Sequence, residues 1–408
     1  MLMLGKRKEG TQTVVPQKWR YSHTAVMVVL AVVIFALGVG VGDGKISFAS
    51  HNAVTGNLPS SLNYASVNEV YDALKDNYNG KLTTSQLLDG LKHGLADATN
   101  DPYTEYFTAT EAKQFDNQLN NSFSGIGAEL GKDSDGNLEV IAPIAGTPAD
   151  KAGLKAQDLI TSINGTSTSG VSVDDAVNKI RGKSGTTVKL QVVRDKTTPL
   201  SFTITRQNIQ VPSVNSKVLD GNIGYIQIVT FADDTSILIQ KAAQSMADRH
   251  VKGIVLDLRD NPGGLVNAAV TTASQWLPSG TNIMQEKRGN TVVDSYAATG
   301  GDVLRGLPTV VLVDNGSASA SEITAGALHD NKAAYIIGEK SYGKGVVQQI
   351  VNFKDGSELK VTVASWYRPD GENINHKGIT PDQTVVEPST ATPDNDPQLQ
   401  AAETYLNK

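Results

Sequence analysis

Two places in this sequence carry residues whose types and spacing suit amide chemistry. Ser319 stands in Gly316-Ser317-Ala318-Ser319-Ala320-Ser321-Glu322, directly after the apolar run at 310–313. Lys344 stands in Gly343-Lys344-Gly345-Val346-Val347-Gln348, after a second apolar run at 334–337. A small-residue turn between a strand and a helix exposes a nucleophile and presents backbone N–H groups to an anion. A lysine acts as a base only when neutral. Holding it neutral near pH 7 costs about 4–5 kcal/mol at about 1.36 kcal/mol per pH unit, and burial supplies shifts of that size. Gly343 and Gly345 allow close backbone approach, Val346-Val347 offer an apolar wall, and Gln348 has an amide oxygen to orient the amine. Three serines compete for the nucleophile's place. Ser317 resembles a helix N-cap, but local chemistry alone does not choose among Ser317, Ser319 and Ser321.

A third segment, Arg259-Asp260-Asn261-Pro262-Gly263-Gly264, follows the mostly apolar run at 252–258. Its Pro-Gly-Gly turn exposes successive N–H groups, a ready oxyanion site. Loops beyond the carboxyl ends of such strands are where α/β sites gather. Among the 6 histidines, His23, His51, His93, His250, His329 and His376, no metal-like pair occurs. A Ser-His-Asp triad through His329 or His376 has no motif behind it. The net charge of −6 gives no reason to expect nucleic acid as a partner, and the absence of cysteine excludes disulfides, a thiol nucleophile and cysteine metal sites. No cofactor is expected.

The elements that must position these residues fall into an ordered series across the 408 residues. A basic segment at 1–24 precedes an uncharged apolar run at 25–42, near the lower length for a membrane-spanning helix. Lys6, Arg7, Lys8, Lys18 and Arg20 predict a cytoplasmic N-terminus, with the remainder exported. The rival is a cleaved signal peptide, for which Ser47-Phe48-Ala49-Ser50 is a weak cleavage candidate. A polar linker at 43–62 leads to a helical region at 63–120, with stripes at Val67, Val70, Tyr71 and Leu74, then Leu87, Leu88, Leu91 and Leu95. Thr84 or Ser85 is expected to cap the second helix, and a third is expected to start near Thr108 or Thr110. Residues 121–207 switch to short β runs at 138–142, 158–164, 188–194 and 200–205, with helices at 149–154 and 173–181. This predicts a small, partly open barrel with two helices. Residues 208–388 alternate strand and helix, which predicts a layered α/β core. A polar tail at 389–408 ends in a short helix.

Taken together, GSASASEITAGAL at 316–328, GEKSYGKGVVQ at 338–348, LDLRDNPGG at 256–264 and GITPD at 378–382 resemble the carboxyl-terminal processing peptidases, also called tail-specific proteases. The resemblance runs from about Ala65 to Val386. It implies a multidomain α+β chain: a crotonase/ClpP-like α/β peptidase core, an inserted PDZ β-barrel and an N-terminal helical region, with the single transmembrane helix ahead of them. It implies Ser319 as nucleophile, Lys344 as general base and Gln348 as the residue orienting the lysine. Ala320 with Gly263 or Gly264 would form the oxyanion hole. It further implies that Gly125, Ile126 and Gly127 cradle a peptide's terminal carboxylate, that Val173, Val177 and Ile180 wall the groove, and that Arg181 links groove occupancy to the catalytic site. Ala156-Gln157 departs from the family's frequent Pro-Gly. Protein C-termini are the expected substrates, and the N-terminal helices are expected to be able to pair two chains. Two other functions stand beside this one: a scaffold that binds tails without turnover, and an acyl-CoA enzyme of the crotonase type.

Overall fold

The computed structural model describes residues 58–59, 61–195, 197–388 and 395–408. The expected membrane segment at 25–42 lies outside the described residues. Among those described, no helix is long and apolar enough to cross a membrane.

The chain divides into two compact units after Lys81. Within the first, α1 (Ala65–Asn77) carries the anticipated stripe, and Val70, Tyr71 and Leu74 are exposed on it. The second unit opens with α2 (Thr84–Asp97). Its cap is Thr83 rather than Thr84 or Ser85, because Thr83 forms a reciprocal capping box with Gln86. Next come β1 (Glu105–Phe107) and α3 (Ala109–Leu119), the latter capped by Thr108 and Glu111 as expected. The strand β1 interrupts a stretch expected to be helical. It pairs antiparallel with residues 358–360, so a distant partner decides its conformation.

The barrel follows as β2 (Ser122–Gly125), β3 (Ala128–Lys132), β4 (Leu138–Pro143), α4 (Pro148–Lys151), β5 (Leu159–Ile163), β6 (Thr166–Ser167), α5 (Val173–Ile180), β7 (Thr187–Arg194), β8 (Thr198–Thr205) and β9 (Gln207–Gln210). Strand order is β3-β4-β5-β7-β8, with β6 on β5. Along β7, Val188, Leu190 and Val192 face inward while Lys189 and Gln191 face water, the period-two pattern of a half-buried strand. They share a core with Val140, Ala176 and Ile180. The antiparallel pair β2–β9 brings the entering and leaving chain together, from Ser122 opposite Gln210 to Gly125 opposite Gln207, which is how a domain is inserted into another. The departing turn is kept: Gln157 adopts φ 67°, a conformation that glycine takes more readily.

The remaining elements are β10 (Val214–Leu219), β11 (Ile223–Ile228), α6 (Thr235–Asp248), β12 (Gly253–Asp257), α7 (Val266–Ala273), β13 (Asn282–Arg288), β14 (Thr291–Ala297), β15 (Thr309–Val313), α8 (Ala320–Asp330), β16 (Tyr335–Gly338), β17 (Val346–Asn352), β18 (Glu358–Tyr367), β19 (Gln383–Thr384) and α9 (Pro397–Leu406). A central sheet runs β10-β11-β12-β15-β16-β19, parallel throughout except at the β10 edge. Every residue of β12 and β15 is buried, as continuous apolar runs in a parallel sheet require. Val311 and Val313 pack in the core that includes residues of α6, α7 and α8, while Val310 and Leu312 pack on the opposite face with Ala402 and Leu406 of α9. The segment read as a tail therefore supplies one outer layer of the core. A second sheet, β1-β18-β13-β14 with β17 added to β18, stands beside the first.

Candidate active site

The serine turn fills the gap between β15 and α8. Ser319 sits at φ 54° and ψ −113°, outside the usual left-handed well, and a strained residue of this kind costs about 1–3 kcal/mol. The turn is held from both sides. The hydroxyl of Ser317 donates to Leu258 O at 2.7 Å, and that of Ser321 to Asn261 O at 2.9 Å. Both serines are fully buried. Ala318 N donates to the same Asn261 carbonyl at 3.0 Å. Of the three serines, Ser319 is the one that lines the adjoining cleft of about 410 Å³. The hydroxyls of Ser317 and Ser321 are instead committed to buried carbonyls.

The same cleft is lined by Lys344, Gln348, Gly263 and Gly264. The Arg259–Gly264 loop wraps the serine turn closely. A Cβ on Gly263 would lie 2.8 Å from Ser319 Cβ, and one on Gly264 would lie 2.2 Å from Phe231 O. The Gly263 N–H is already committed to Asn261 Oδ1 at 2.9 Å. Among the described residues, the N–H groups of Gly264 and Ala320 have no acceptor.

A residue that sequence reasoning left unused ties the two halves together. The Glu322 carboxylate is fully buried in the first turn of α8. It accepts from Ser319 N at 2.8 Å, Ser341 Oγ at 2.6 Å, Gly343 N at 2.7 Å and Lys344 N at 3.0 Å. One side chain thereby fixes the serine turn and the lysine loop in register. The glycines of that loop do what their small size allows: a Cβ on Gly343 would be 2.7 Å from Gly378 N, and one on Gly345 2.5 Å from Asn375 N.

Lys344 is half-buried, and its proton affinity is lowered. Desolvation is the larger cause, and the charge of Lys360 adds to it. Asp101 and Glu322 act in the opposite sense. The amine rests over the Tyr103 ring, 5.0 Å from its centroid. No hydrogen bond joins it to Ser319 or to Gln348 among the described residues. The Gln348 amide instead donates to Thr362 Oγ1 at 3.2 Å.

Comparison with known proteins places this arrangement. Residues 222–385 match peptidase family S41, and residues 115–193 match the PDZ domain. The chain is 38% identical over 380 residues to carboxy-terminal processing protease CtpA of Bacillus subtilis, covering 93% of this chain and 80% of that protein. It is 37% identical over 326 residues to CtpB of the same organism, covering 79% and 68%. The chain belongs to the carboxy-terminal processing proteases of family S41. A solved S41 protease of Bacteroides fragilis shares the fold at TM-score 0.54 and 16% identity, over 86% of this chain and 99% of that one. The protease is a serine-type peptidase with a PDZ domain, which sets aside the acyl-CoA and non-catalytic scaffold readings.

No histidine among the described residues lines the protease's cleft. His329 lies between Asp382 Oδ1 at 3.1 Å and Asp330 Oδ1 at 3.3 Å, in a different cleft, and His376 is exposed. In the PDZ domain, Gly125 ends β2, and Ile126 and Gly127 join it to β3. The N–H groups of Ile126 and Gly127 have no acceptor among the described residues. Ile180 is buried in the domain's core from α5, Val177 is half-buried, and the Arg181 guanidinium lies 5.1 Å over the Phe123 ring. Arg206, not singled out in the sequence, is buried and donates to Ile180 O at 2.6 Å and Lys179 O at 3.3 Å. It thus closes the end of α5.

Proposed function

We propose that the protease cleaves exported proteins near their C-termini through a Ser319–Lys344 dyad. Ser319 Oγ attacks the scissile carbonyl and passes its proton to the neutral Lys344 amine. The oxyanion is received by the Ala320 and Gly264 N–H groups; Gly263 supports the loop rather than donating. The Lys344 ammonium then protonates the leaving amine, and the same residue activates the water that hydrolyses the acyl-enzyme. Proton transfer requires the amine to turn from the Tyr103 ring toward the hydroxyl. Such contacts are commonly long in the absence of substrate. Gln348, held by Thr362, orients the amine once it has turned.

The single observation carrying this reading is that Ser319, Lys344 and Gly264 line one cleft, while the two competing serines are locked to buried carbonyls. In the same reading, a substrate's terminal carboxylate sits on the Ile126 and Gly127 N–H groups and its chain adds a strand beside β3. Val173, Val177 and Ile180 form the facing wall, and Arg181 reports occupancy. The two-sheet core is of the crotonase/ClpP type. The segment at 25–42 anchors the chain in the cell membrane with the catalytic part outside, and the N-terminal helices pair two copies. The domain limits are those drawn from the sequence, with α9 joined to the core. Mass-spectrometric mapping of products from an unstructured protein tests the reading. Internal cuts whose rate falls at least about tenfold when the terminal carboxylate is amidated support it, at about 1.4 kcal/mol per decade. Equal cleavage of both forms overturns the PDZ-guided part.

A further inference from the structure

Lys360 stands in the same cleft as Ser319 and Lys344, and the mechanism above does not use it. It lies on β18 opposite Ile350 of β17 and Glu105 of β1. Alternate strand residues share a face, so Lys360 is placed on the face of Thr362, the residue that holds Gln348. Its ammonium is fixed. It donates to Glu105 Oε2 at 2.9 Å and lies over the Phe107 and Phe115 rings at 5.1 and 5.3 Å. A carboxylate and two aromatic faces hold the ammonium in place. The cleft walls include Phe115, Leu119, Leu265, Ile323, Val346 and Trp366. Apolar walls screen charge less well than water does.

We infer that Lys360 is a positioning residue for the proton on Lys344: a fixed positive charge whose repulsion favours the neutral amine that the reaction needs. The inference rests on the reading of Lys344 as the base. The groups facing Lys344 act in both senses. Asp101, from the turn that also carries Tyr103, and Glu322 of α8 favour the ammonium, as does the Tyr103 ring. Burial and Lys360 oppose it. Burial is the larger of the two, and Lys360 is the cation that adds to it.

The test is the pH dependence of kcat/KM for the full-length protease on a fluorogenic peptide, comparing wild type with Lys360→Met and Lys360→Arg. The acidic limb reports Lys344 losing its proton in the free enzyme. Removing a like charge makes that proton easier to keep, so the limb moves to higher pH. A rise of about one unit is expected for Lys360→Met, hence about tenfold slower cleavage below the limb and convergence with wild type above it. Lys360→Arg leaves the limb in place. A limb that does not move in Lys360→Met overturns the inference, whatever the loss of rate. Lys344→Ala in the same assay separates the two levels: if it is inactive while the Lys360→Met limb is unmoved, only the inference fails, and if it is active the base assignment fails. Should the melting curve show that Lys360→Met does not fold, pH-dependent acetylation of Lys344 in wild type and Glu105→Gln, read by mass spectrometry, decides. Removing Glu105's charge unshields Lys360 and must shift the Lys344 titration downward. No shift, or an upward one, overturns the inference.

Discussion

Replacing Ser319 with alanine is expected to lower kcat by about 10⁴- to 10⁶-fold, the scale seen when a serine nucleophile is removed. Folding should survive. Alanine keeps the Cβ that packs against the Gly263 loop, and the turn's anchors lie on other residues: Ser317 to Leu258, Ser321 to Asn261, and Glu322 to the Ser319 amide. A product time course read by mass spectrometry, with a melting curve on the same sample, checks both halves. Ser317→Ala and Ser321→Ala provide the contrast. Each removes a buried hydroxyl and its hydrogen bond, while Leu258 O keeps the Asn261 N–H and Asn261 O keeps the Ala318 N–H, so each should destabilise by about 0.5–1.5 kcal/mol, with activity falling far less than in Ser319→Ala. If Ser319→Ala cleaves at rates near wild type while Ser317→Ala does not, the nucleophile has been misplaced.

Glu322→Ala carries the second large effect. Four donors converge on this carboxylate from the serine turn and the lysine loop. Without it they are left unpaired in a fully buried site, at about 1–3 kcal/mol for each group. The cheapest relief is for the Ser341–Gly345 loop to move away and admit water. Lys344 then loses its register with Ser319. Misplacement by about 1 Å costs on the order of 10²-fold in rate, so kcat/KM should fall by at least that factor. The PDZ domain is remote from this contact, so affinity for a tail peptide should be unchanged. Peptide binding by fluorescence polarisation beside peptide cleavage separates the two. Glu322→Gln keeps the shape and one carbonyl acceptor and should recover part of the rate. Full activity in Glu322→Ala would show that the loop is held by other contacts.

Much of the core was legible because its signals are local. The runs that became β12 and β15 are apolar without interruption, and a run of that kind belongs to a strand buried on both faces. The barrel's β7 and β8 showed in their bounds, and α9 was placed correctly although its role as a core layer was not. What failed depended on partners far along the chain. β1 lies in a helix-like stretch and is a strand because residues 358–360 pair with it. β14 is exposed along nearly its whole length, so it has no inward stripe to read. At the site, Glu322 was visible in the quoted motif, but its donors in the lysine loop lie 19 to 22 residues away. The acceptors that hold the hydroxyls of Ser317 and Ser321, the carbonyls of Leu258 and Asn261, lie about 60 residues upstream. Local chemistry had no access to either.

The account depends on Lys344 being the group that takes the proton from Ser319. Burial first, and then the like charge of Lys360, lower its proton affinity, and no histidine among the described residues reaches the cleft to replace it. The direct measurement is cleavage of an unstructured protein by purified Lys344→Ala across a range of pH, with folding checked by melting and tail binding. The expected result is a correctly folded, tail-binding protein that releases no products at any pH tested. Cleavage at a rate close to wild type would contradict it.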